Sequence, residues 1–192
     1  LEDQIDWESI VQYLGMPVVI KPAVGGGSKS VSVVHTTDQL VEAYRRSGSL
    51  SMIAQECIQY ENYSRCWVIG REKVRISGYD YVKPRAERYR MDHRLSDDVM
   101  DLMTHQCLVL ARILGYDMDT VEWAIRDDVP YAIDFLNPAP DCDPPSVGPE
   151  NFEWVVEEVA DLAIRYCLSD ASPGLPADWR ELCAAVPELP SS

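Results

Sequence analysis

The sequence predicts an α+β protein in which antiparallel hairpins alternate with amphipathic helices. Short β-branched runs come in neighbouring pairs joined by turn residues, which is typical of hairpins. Between these pairs lie stretches with apolar residues at helical spacing, each preceded by a capping residue. The pattern becomes strongly β near residue 60. We therefore expect one α+β subdomain over 1–59, a second over 60–169, and a proline-containing tail over 170–192.

Length and charge limit the possible classes. A chain of 192 residues with 46% apolar content can bury a core as one large or two small domains. Its 17 basic and 32 acidic residues give a net charge of −15, which argues against a nucleic-acid partner because duplex binding needs a basic face. No stretch reaches the roughly 18 apolar residues of a membrane span, and no N-terminal signal is evident. We expect a cytoplasmic protein that does not bind membranes.

The six cysteines are scattered and form no Cys-x-x-Cys motif. In a secreted domain they would form disulfides, whereas in a cytosolic one they are small apolar core residues. The second interpretation is favoured here.

The first part of the chain predicts a helix, a hairpin, a second helix and a strand. Asp6 can cap the first helix and Gly15 can end it. The hairpin pairs 17–20 with 31–34, Thr37 caps a helix over 38–47, and 51–58 is extended.

The second part predicts two hairpins separated by a long helix. The first hairpin pairs 63–69 with 74–82, and a basic loop follows over 83–94. Ser96 caps a helix that ends at Gly115. The second hairpin pairs 120–126 with 131–136 across an Asp127-Asp128 turn, and an irregular segment over 137–145 precedes a helix over 151–168.

The loop of the first hairpin is the first candidate binding element. Small residues let backbone N–H groups approach an anion because no Cβ intervenes, and a lysine at the hairpin base adds a positive charge. These features predict a polyphosphate site made by Lys21, Gly25, Gly26, Gly27 and Ser28. The alternative is a surface lysine beside an ordinary flexible hairpin. The spacing of a Walker loop is absent.

The strand end around Gln55, Glu56 and Ile58 is the second element. Such a strand end can offer backbone groups to a purine edge, and Glu61 could bind both ribose hydroxyls. The alternative is a strand that merely reaches the surface.

Two acidic residues on neighbouring strands are the third element. Alternation places Val121, Trp123 and Ile125 on one face, and Glu122 on the other, where Asp134 can oppose it. Opposed carboxylates are destabilising unless a cation lies between them, and hard oxygen ligands suit Mg²⁺. The alternative is one buried and one solvated acid. The pairs Asp117/Asp119 and Asp141/Asp143 are interpreted as turn acids, because neither pair has the glycine and distal glutamate of a Ca²⁺ loop.

Taken in order, these elements resemble the ATP-grasp superfamily, which includes D-alanine–D-alanine ligase, glutathione synthase, biotin carboxylase and the ribosomal-protein glutamate ligases. The resemblance rests on PVVIKPAVGGGSKSV, MIAQECI, Glu61 and VEWAI…YAIDFLNP, and covers about residues 7–168. It implies two α+β subdomains with antiparallel sheets that sandwich MgATP, the first being a mobile lid.

The resemblance also implies residue roles. Lys21 would contact the α and β phosphates, and Arg65 would lie near the phosphates. The side chain of Gln55 and the main chain of Glu56 and Ile58 would meet adenine. Glu122, Asp134 and Asn137 would ligate one or two Mg²⁺.

The chain departs from the family pattern at three points. A further N-terminal domain with a second lysine is missing, so we expect a fragment. The last metal pair is commonly Glu-x-Asn, whereas one more residue separates Asp134 from Asn137 here. An arginine often found on the strand after the hinge is not evident, because Ser77-Gly78-Tyr79-Asp80 offers none. Arg75 or a member of the basic loop 83–94 could replace it, or that loop could pair with the acidic surface.

The leading hypothesis is the ATP-binding part of a ligase that activates a carboxylate as an acylphosphate for attack by an amine or thiol. The substrates would be small molecules or peptides. The alternatives are a non-catalytic nucleotide-binding module and an ATP-grasp kinase of a small molecule.

Overall fold

The computed structural model describes residues 4–25, 30–90 and 95–169. Three of the predicted loop residues, Gly26, Gly27 and Ser28, lie outside the described residues, as does the tail from Asp170. The chain divides into two compact units, Leu1–Gln59 and Tyr60–Ser192.

The first unit is a three-stranded antiparallel sheet with two helices. Its strands lie in the order β2-β1-β3, so the predicted hairpin is confirmed. The elements are α1 (Trp7–Leu14), β1 (Val18–Pro22), β2 (Ser32–Val34), α2 (Thr37–Arg46) and β3 (Met52–Glu56).

The caps of the two helices follow from short polar side chains. Asp6 caps α1 as predicted, since its Oδ1 accepts a 3.0 Å hydrogen bond from the N–H of Ser9. The prediction that Thr37 caps α2 is wrong by one residue. Thr36 is the cap, because its backbone is extended and its hydroxyl accepts from the N–H of Gln39 at 3.2 Å.

The core of the first unit lies between one face of the sheet and the two helices. Val18, Ile20, Val34 and Leu40 are buried there, and Trp7 packs against them. This burial leaves the opposite face of the sheet without helices of its own unit.

The second unit contains a five-stranded antiparallel sheet in the order β6-β5-β4-β7-β8. Both predicted hairpins are therefore confirmed. The elements are β4 (Asn62–Ile69), β5 (Lys73–Tyr79), β6 (Tyr89–Arg90), α3 (Asp97–Leu114), β7 (Met118–Arg126), β8 (Val129–Asp134), α4 (Pro144–Val147) and α5 (Pro149–Leu168).

Some boundaries in the second unit differ from the sequence predictions. The basic loop contains a 3-10 turn, Arg85–Glu87, and the edge strand β6. The segment predicted to be irregular contains α4, and α5 begins at Pro149 instead of near 151. Proline suits the first helical turn because its missing N–H would have no partner there, and this accounts for both helix starts.

The β7–β8 turn fixes the register of the strands that carry the predicted metal ligands. Asp127 and Asp128 have φ values of 52° and 60°, and Arg126 pairs directly with Val129. Two successive positive φ values define the tight turn whose twist matches a hairpin, and aspartate tolerates this region better than most residues. The register follows from this turn as far as the pair Trp123–Ala132, where an irregularity shifts the pairing by one residue and brings Asp134 opposite Glu122.

The sheet of the second unit is covered on both faces. Val68, Met103, Val121 and Trp123 belong to the core on the α3 side. Trp67, Ile69, Val147, Val155 and Leu162 form the core on the other side, with α4 and α5. The alternation predicted for Val121, Trp123 and Ile125 is confirmed by their burial.

Cys57, Cys66, Cys107, Cys142 and Cys167 are free thiols, so the described part of the chain contains no disulfide. Cys66 and Cys107 are fully buried in the α3-side core, where they act as small apolar residues. None of the described helices is long and apolar enough to cross a membrane.

Candidate functional site

One face of the first unit's sheet carries Lys21 and Gln55 together. Val19 pairs with both Val33 and Gln55, and Lys21 pairs with Ile53, so all five side chains share the face opposite the core. Val33 and Ile53 are 52% and 42% exposed. This open face (Val19, Lys21, Val33, Ile53, Gln55) thus combines a cation, an amide and accessible apolar surface.

The remaining predicted residues of the first unit lie at or just beyond the ends of β1 and β3. Gly25 follows β1 with a φ of 150°, and apart from its chain neighbours none of the described residues has an atom within 4 Å of the position where its Cβ would stand. Glu56 ends β3 opposite Val18, and Ile58 lies two residues beyond it.

In the second unit, the register places Glu122 directly opposite Asp134, with an irregularity between Glu122 and Trp123. Oε2 of Glu122 accepts a 2.8 Å hydrogen bond from the hydroxyl of Tyr63. The side chain of Asp134 is exposed. Within the described residues, no three histidine, cysteine or acidic side chains form a group that could hold a metal ion. The charged members of the predicted metal site are therefore these two acids alone, with Asn137 as the neutral third ligand.

Arg65 lies beside Glu122 in the centre of the sheet. It is only 9% exposed, and its Nε lies 3.7 Å from Oε1 of Glu122, its partner in the β4–β7 register. Nη1 donates to the hydroxyl of Tyr89 at 2.9 Å, Nη2 donates to Oγ1 of Thr120 at 3.2 Å, and the guanidinium lies 5.5 Å from the ring centroid of Tyr79. The planar guanidinium is therefore fixed by several partners at once.

The electrostatics of this cluster keep Arg65 charged and the hydroxyls of Tyr63 and Tyr89 neutral, because the pKa of each of these groups is raised. Burial alone lowers the pKa of Arg65, but its interactions with Tyr89, Glu122 and Tyr79 outweigh burial, and the net pKa is raised. Burial, followed by the charge of Glu122, raises the pKa of Tyr63 far above its usual range. The Tyr63 hydroxyl therefore remains a hydrogen-bond donor to Glu122 at neutral pH.

Asn137 is held beside this cluster by two neighbouring residues of β7. Its Nδ2 donates to Oγ1 of Thr120 at 3.1 Å, and its backbone N–H donates to Oδ1 of Asp119 at 3.0 Å. The interpretation of Asp119 as a turn acid is wrong, because Asp119 lies within β7 and is fully buried. Its Oδ2 has no hydrogen-bond partner among the described residues.

The environment of Asp119 predicts a pH-dependent stability. Burial raises its pKa from 3.8 to about 6, against the lowering effect of the N–H groups of Asn137 and Thr120. Because this pKa is higher in the folded than in the unfolded state, the Asp119 contribution to the free energy of unfolding falls as pH rises from about 4 to about 6. Asp119→Asn cannot ionise, so we expect its free energy of unfolding to rise relative to wild type across that window, by on the order of 3 kcal/mol.

Urea denaturation of both proteins at pH 4, 5, 6 and 7 measures that difference. Above about pH 7 the difference should become constant, since the carboxyl is then ionised in both states. A variant-minus-wild-type difference that is independent of pH would contradict the assignment.

Glu61, the predicted ribose ligand, contacts the β7–β8 turn. Its Oε2 accepts from the N–H of Asp127 at 3.2 Å, and its own N–H donates to the carbonyl of Ile125 at 3.0 Å. The residue is exposed, and its role toward a ribose stays a prediction.

Two of the candidates for the missing family arginine, Arg75 and Arg85, have partners elsewhere. Nε of Arg75 donates to Oδ1 of Asn151 on α5 at 2.7 Å. Arg85, in the basic loop, pairs with Asp141 and donates to Oγ of Ser146 at 3.0 Å. For Arg85, pairing with the acidic surface is therefore the interpretation that the structure confirms.

Comparison with known proteins identifies the family. The family model described as "D-ala D-ala ligase C-terminus" matches residues 2–111, which is more than half of the chain. The chain belongs to this family.

Individual relatives agree with the family assignment. A D-alanine–D-alanine ligase from Chromohalobacter salexigens is 30% identical over 66 residues, which are 33% of this chain and 21% of that protein. An L-arginine-specific L-amino acid ligase from Bacillus subtilis is 34% identical over 60 residues, 27% of this chain and 14% of that protein. The matched segments thus cover about a fifth or less of these relatives.

Solved structures of the ATP-grasp class share the fold. A D-alanine–D-alanine ligase from Bacillus anthracis complexed with ATP superposes with a TM-score of 0.66 at 16% identity, over 84% of this chain and 54% of that one. A biotin carboxylase ATP complex from Campylobacter jejuni gives a TM-score of 0.60 at 18% identity, over 77% of this chain and 38% of that one. The predicted superfamily and the α+β ATP-grasp fold are confirmed, and the chain spans about half the length of the first of these structures.

Proposed function

We propose that this chain is the nucleotide-binding part of an ATP-dependent ligase that activates a carboxylate as an acylphosphate for attack by an amine or thiol. The observation that carries the proposal is the cluster of Arg65, Glu122 and Asp134 on one sheet, in a member of a ligase family. It pairs a fixed cation with two opposed acids, which is what a metal-bound polyphosphate requires.

The open face of the first unit supplies the proposed nucleotide contacts. Lys21 binds the α and β phosphates, and Gly25, Gly26, Gly27 and Ser28 cover them with backbone N–H groups. The apolar side chains of Val33 and Ile53 suit the face of a base. The adenine edge meets the side chain of Gln55 and the main chain of Glu56 and Ile58. The ribose meets Glu61.

The residues of the second unit fit a magnesium ion. Asp134 is exposed and directly opposes Glu122, an arrangement that is unfavourable without a cation. The amide nitrogen of Asn137 is used by Thr120, which leaves its Oδ1 as the atom for a metal. Glu122, Asp134 and Asn137 would hold Mg²⁺, which supplies positive charge to the phosphate oxygens when bound.

In the proposed reaction a substrate carboxylate oxygen attacks the γ-phosphorus as the bond to the ADP oxygen breaks. The amine or thiol then attacks the acyl carbon, loses its proton, and phosphate leaves. Arg65 contributes a pre-oriented positive charge to the phosphoryl oxygens, because its partners already hold its guanidinium.

A second candidate is a nucleotide-binding module without activity of its own. Both candidates require MgATP binding, and they differ in turnover.

Phosphate release tests the choice between them. The chain is incubated with MgATP and with amino acids that include D-alanine and L-arginine, singly and in pairs, and with carboxylic acids that lack an amine. The ligase proposal predicts phosphate release only when a carboxylate and an amine acceptor are both present. MgATP binding with neither phosphate release nor ADP formation under any pairing would favour the binding module. ADP formation with transfer of the phosphoryl group to a single substrate, without release of inorganic phosphate, would favour a kinase.

A further inference from the structure

Asp119 occupies a position where an apolar residue would be expected. It lies on the same face of β7 as Val121 and Trp123, which belong to the α3-side core, and it is fully buried. A buried carboxylate costs several kcal/mol unless its oxygens are satisfied, and one of its two oxygens has no hydrogen-bond partner among the described residues. Asp119 therefore imposes a cost on folding that a valine or leucine would avoid.

The oxygen that does have a partner is directed to one residue of the candidate site. Oδ1 of Asp119 accepts from the backbone N–H of Asn137 at 3.0 Å. The next residue, Thr120, donates its N–H to the carbonyl of Asn137 at 3.3 Å and accepts from its side-chain Nδ2 at 3.1 Å. Three hydrogen bonds from two consecutive residues thus hold both the backbone and the side chain of Asn137.

These hydrogen bonds bear on the additional residue that separates the last two predicted metal ligands, Asp134 and Asn137. Asn137 lies three residues after Asp134, outside β8, so its backbone is held by its hydrogen bonds with Asp119 and Thr120 and not by the β7–β8 register. The hydrogen bond to Asp119 therefore fixes the Asn137 backbone beyond the end of β8. Thr120 also accepts a hydrogen bond from Arg65, so the same segment connects Asn137 to the buried cation.

We propose that Asp119 is a positioning residue that fixes Asn137 so that its side-chain oxygen is available to the metal of bound MgATP. This inference rests on the proposed function. Asp119 touches neither metal nor nucleotide and acts through the backbone of Asn137. Residues that orient metal ligands commonly account for a 10- to 100-fold change in metal affinity.

Three variants of the full 192-residue chain separate positioning from simple packing. Asp119→Ala removes the acceptor, Asp119→Leu removes it but keeps the volume of the core, and Asp119→Asn keeps an acceptor oxygen without the charge. Calorimetric titration with ATP, in the presence of Mg²⁺ and in the presence of EDTA, gives both affinities for each variant.

We expect Asp119→Ala and Asp119→Leu to lose about tenfold or more in MgATP affinity, with their ATP affinity in EDTA unchanged. Asp119→Asn should keep an MgATP affinity within about twofold of wild type. If Asp119→Ala does not fold, Asp119→Leu and Asp119→Asn still give the comparison. The inference would be overturned if folded Asp119→Leu bound MgATP like wild type, or if Asp119→Asn lost as much MgATP affinity as Asp119→Leu. Either result would leave the proposed function intact. Absence of MgATP binding by wild type would instead overturn the proposed function, and the inference with it.

Discussion

Asp134→Ala is expected to abolish the magnesium-dependent part of ATP binding, with a loss of at least about 100-fold in MgATP affinity. The reason is that Asp134 is the exposed member of the opposed pair, whereas Glu122 already accepts a hydrogen bond from Tyr63 and lies beside Arg65. A removed ligand costs more than the 10- to 100-fold typical of residues that only orient ligands. Titration calorimetry with and without Mg²⁺ measures both affinities.

Asp101→Ala is the matched control, since it makes the same change of charge at an exposed position on α3. We expect this control to bind MgATP like wild type. Equal affinities for the Asp134 variant and wild type would remove Asp134 from the site.

Arg65→Met is expected to lower the free energy of unfolding of the second unit by about 3–5 kcal/mol, the usual cost of breaking a buried ion pair by removing one partner. Arg65 is 9% exposed and contacts Tyr89, Thr120 and Glu122, so its loss leaves a partly buried carboxylate without its cation. We also expect ATP affinity to fall by at least about tenfold, because the charge proposed to face the phosphates is lost. Guanidinium denaturation and nucleotide titration measure the two effects.

The double variant Arg65→Met/Glu122→Gln controls for the ion pair. It removes the uncompensated charge, so we expect it to recover part of the stability but none of the phosphate affinity. A loss below about 1 kcal/mol in the single variant would class the pair with ordinary surface salt bridges and contradict the buried network.

Sequence patterns predicted much of the fold because local rules and tertiary packing agree there. Val121, Trp123 and Ile125 alternate with polar residues, and the buried face of β7 follows directly from that period. The two-residue Asp127-Asp128 turn sets the register as far as Trp123, and it predicts that Glu122 and Asp134 lie near each other on neighbouring strands. Their direct opposition also depends on a one-residue irregularity between Glu122 and Trp123, because the turn alone would place Ile133 opposite Glu122. Ser96 and Gly115 likewise bound α3 through cap chemistry alone.

The surroundings of the candidate site could not be predicted, because they depend on contacts between distant segments. Tyr63 and Tyr89 donate or accept across strands, and hydroxyl partners leave no periodic signal in a sequence. Asp119 follows Asp117 and Gly115, a composition typical of turns, although β7 already begins at Met118. The only available signal was its place in the alternation, two residues before Val121, where a charged residue conflicts with a buried face.

The most direct test of the account is the position of a metal in the nucleotide complex. Crystals of the chain grown with a non-hydrolysable ATP analogue and Mn²⁺ in place of Mg²⁺ give an anomalous signal that locates the ion. The account predicts a manganese peak in direct contact with carboxylate oxygens of both Glu122 and Asp134, and with an oxygen of the triphosphate. A bound nucleotide whose metal lies away from both carboxylates would contradict it.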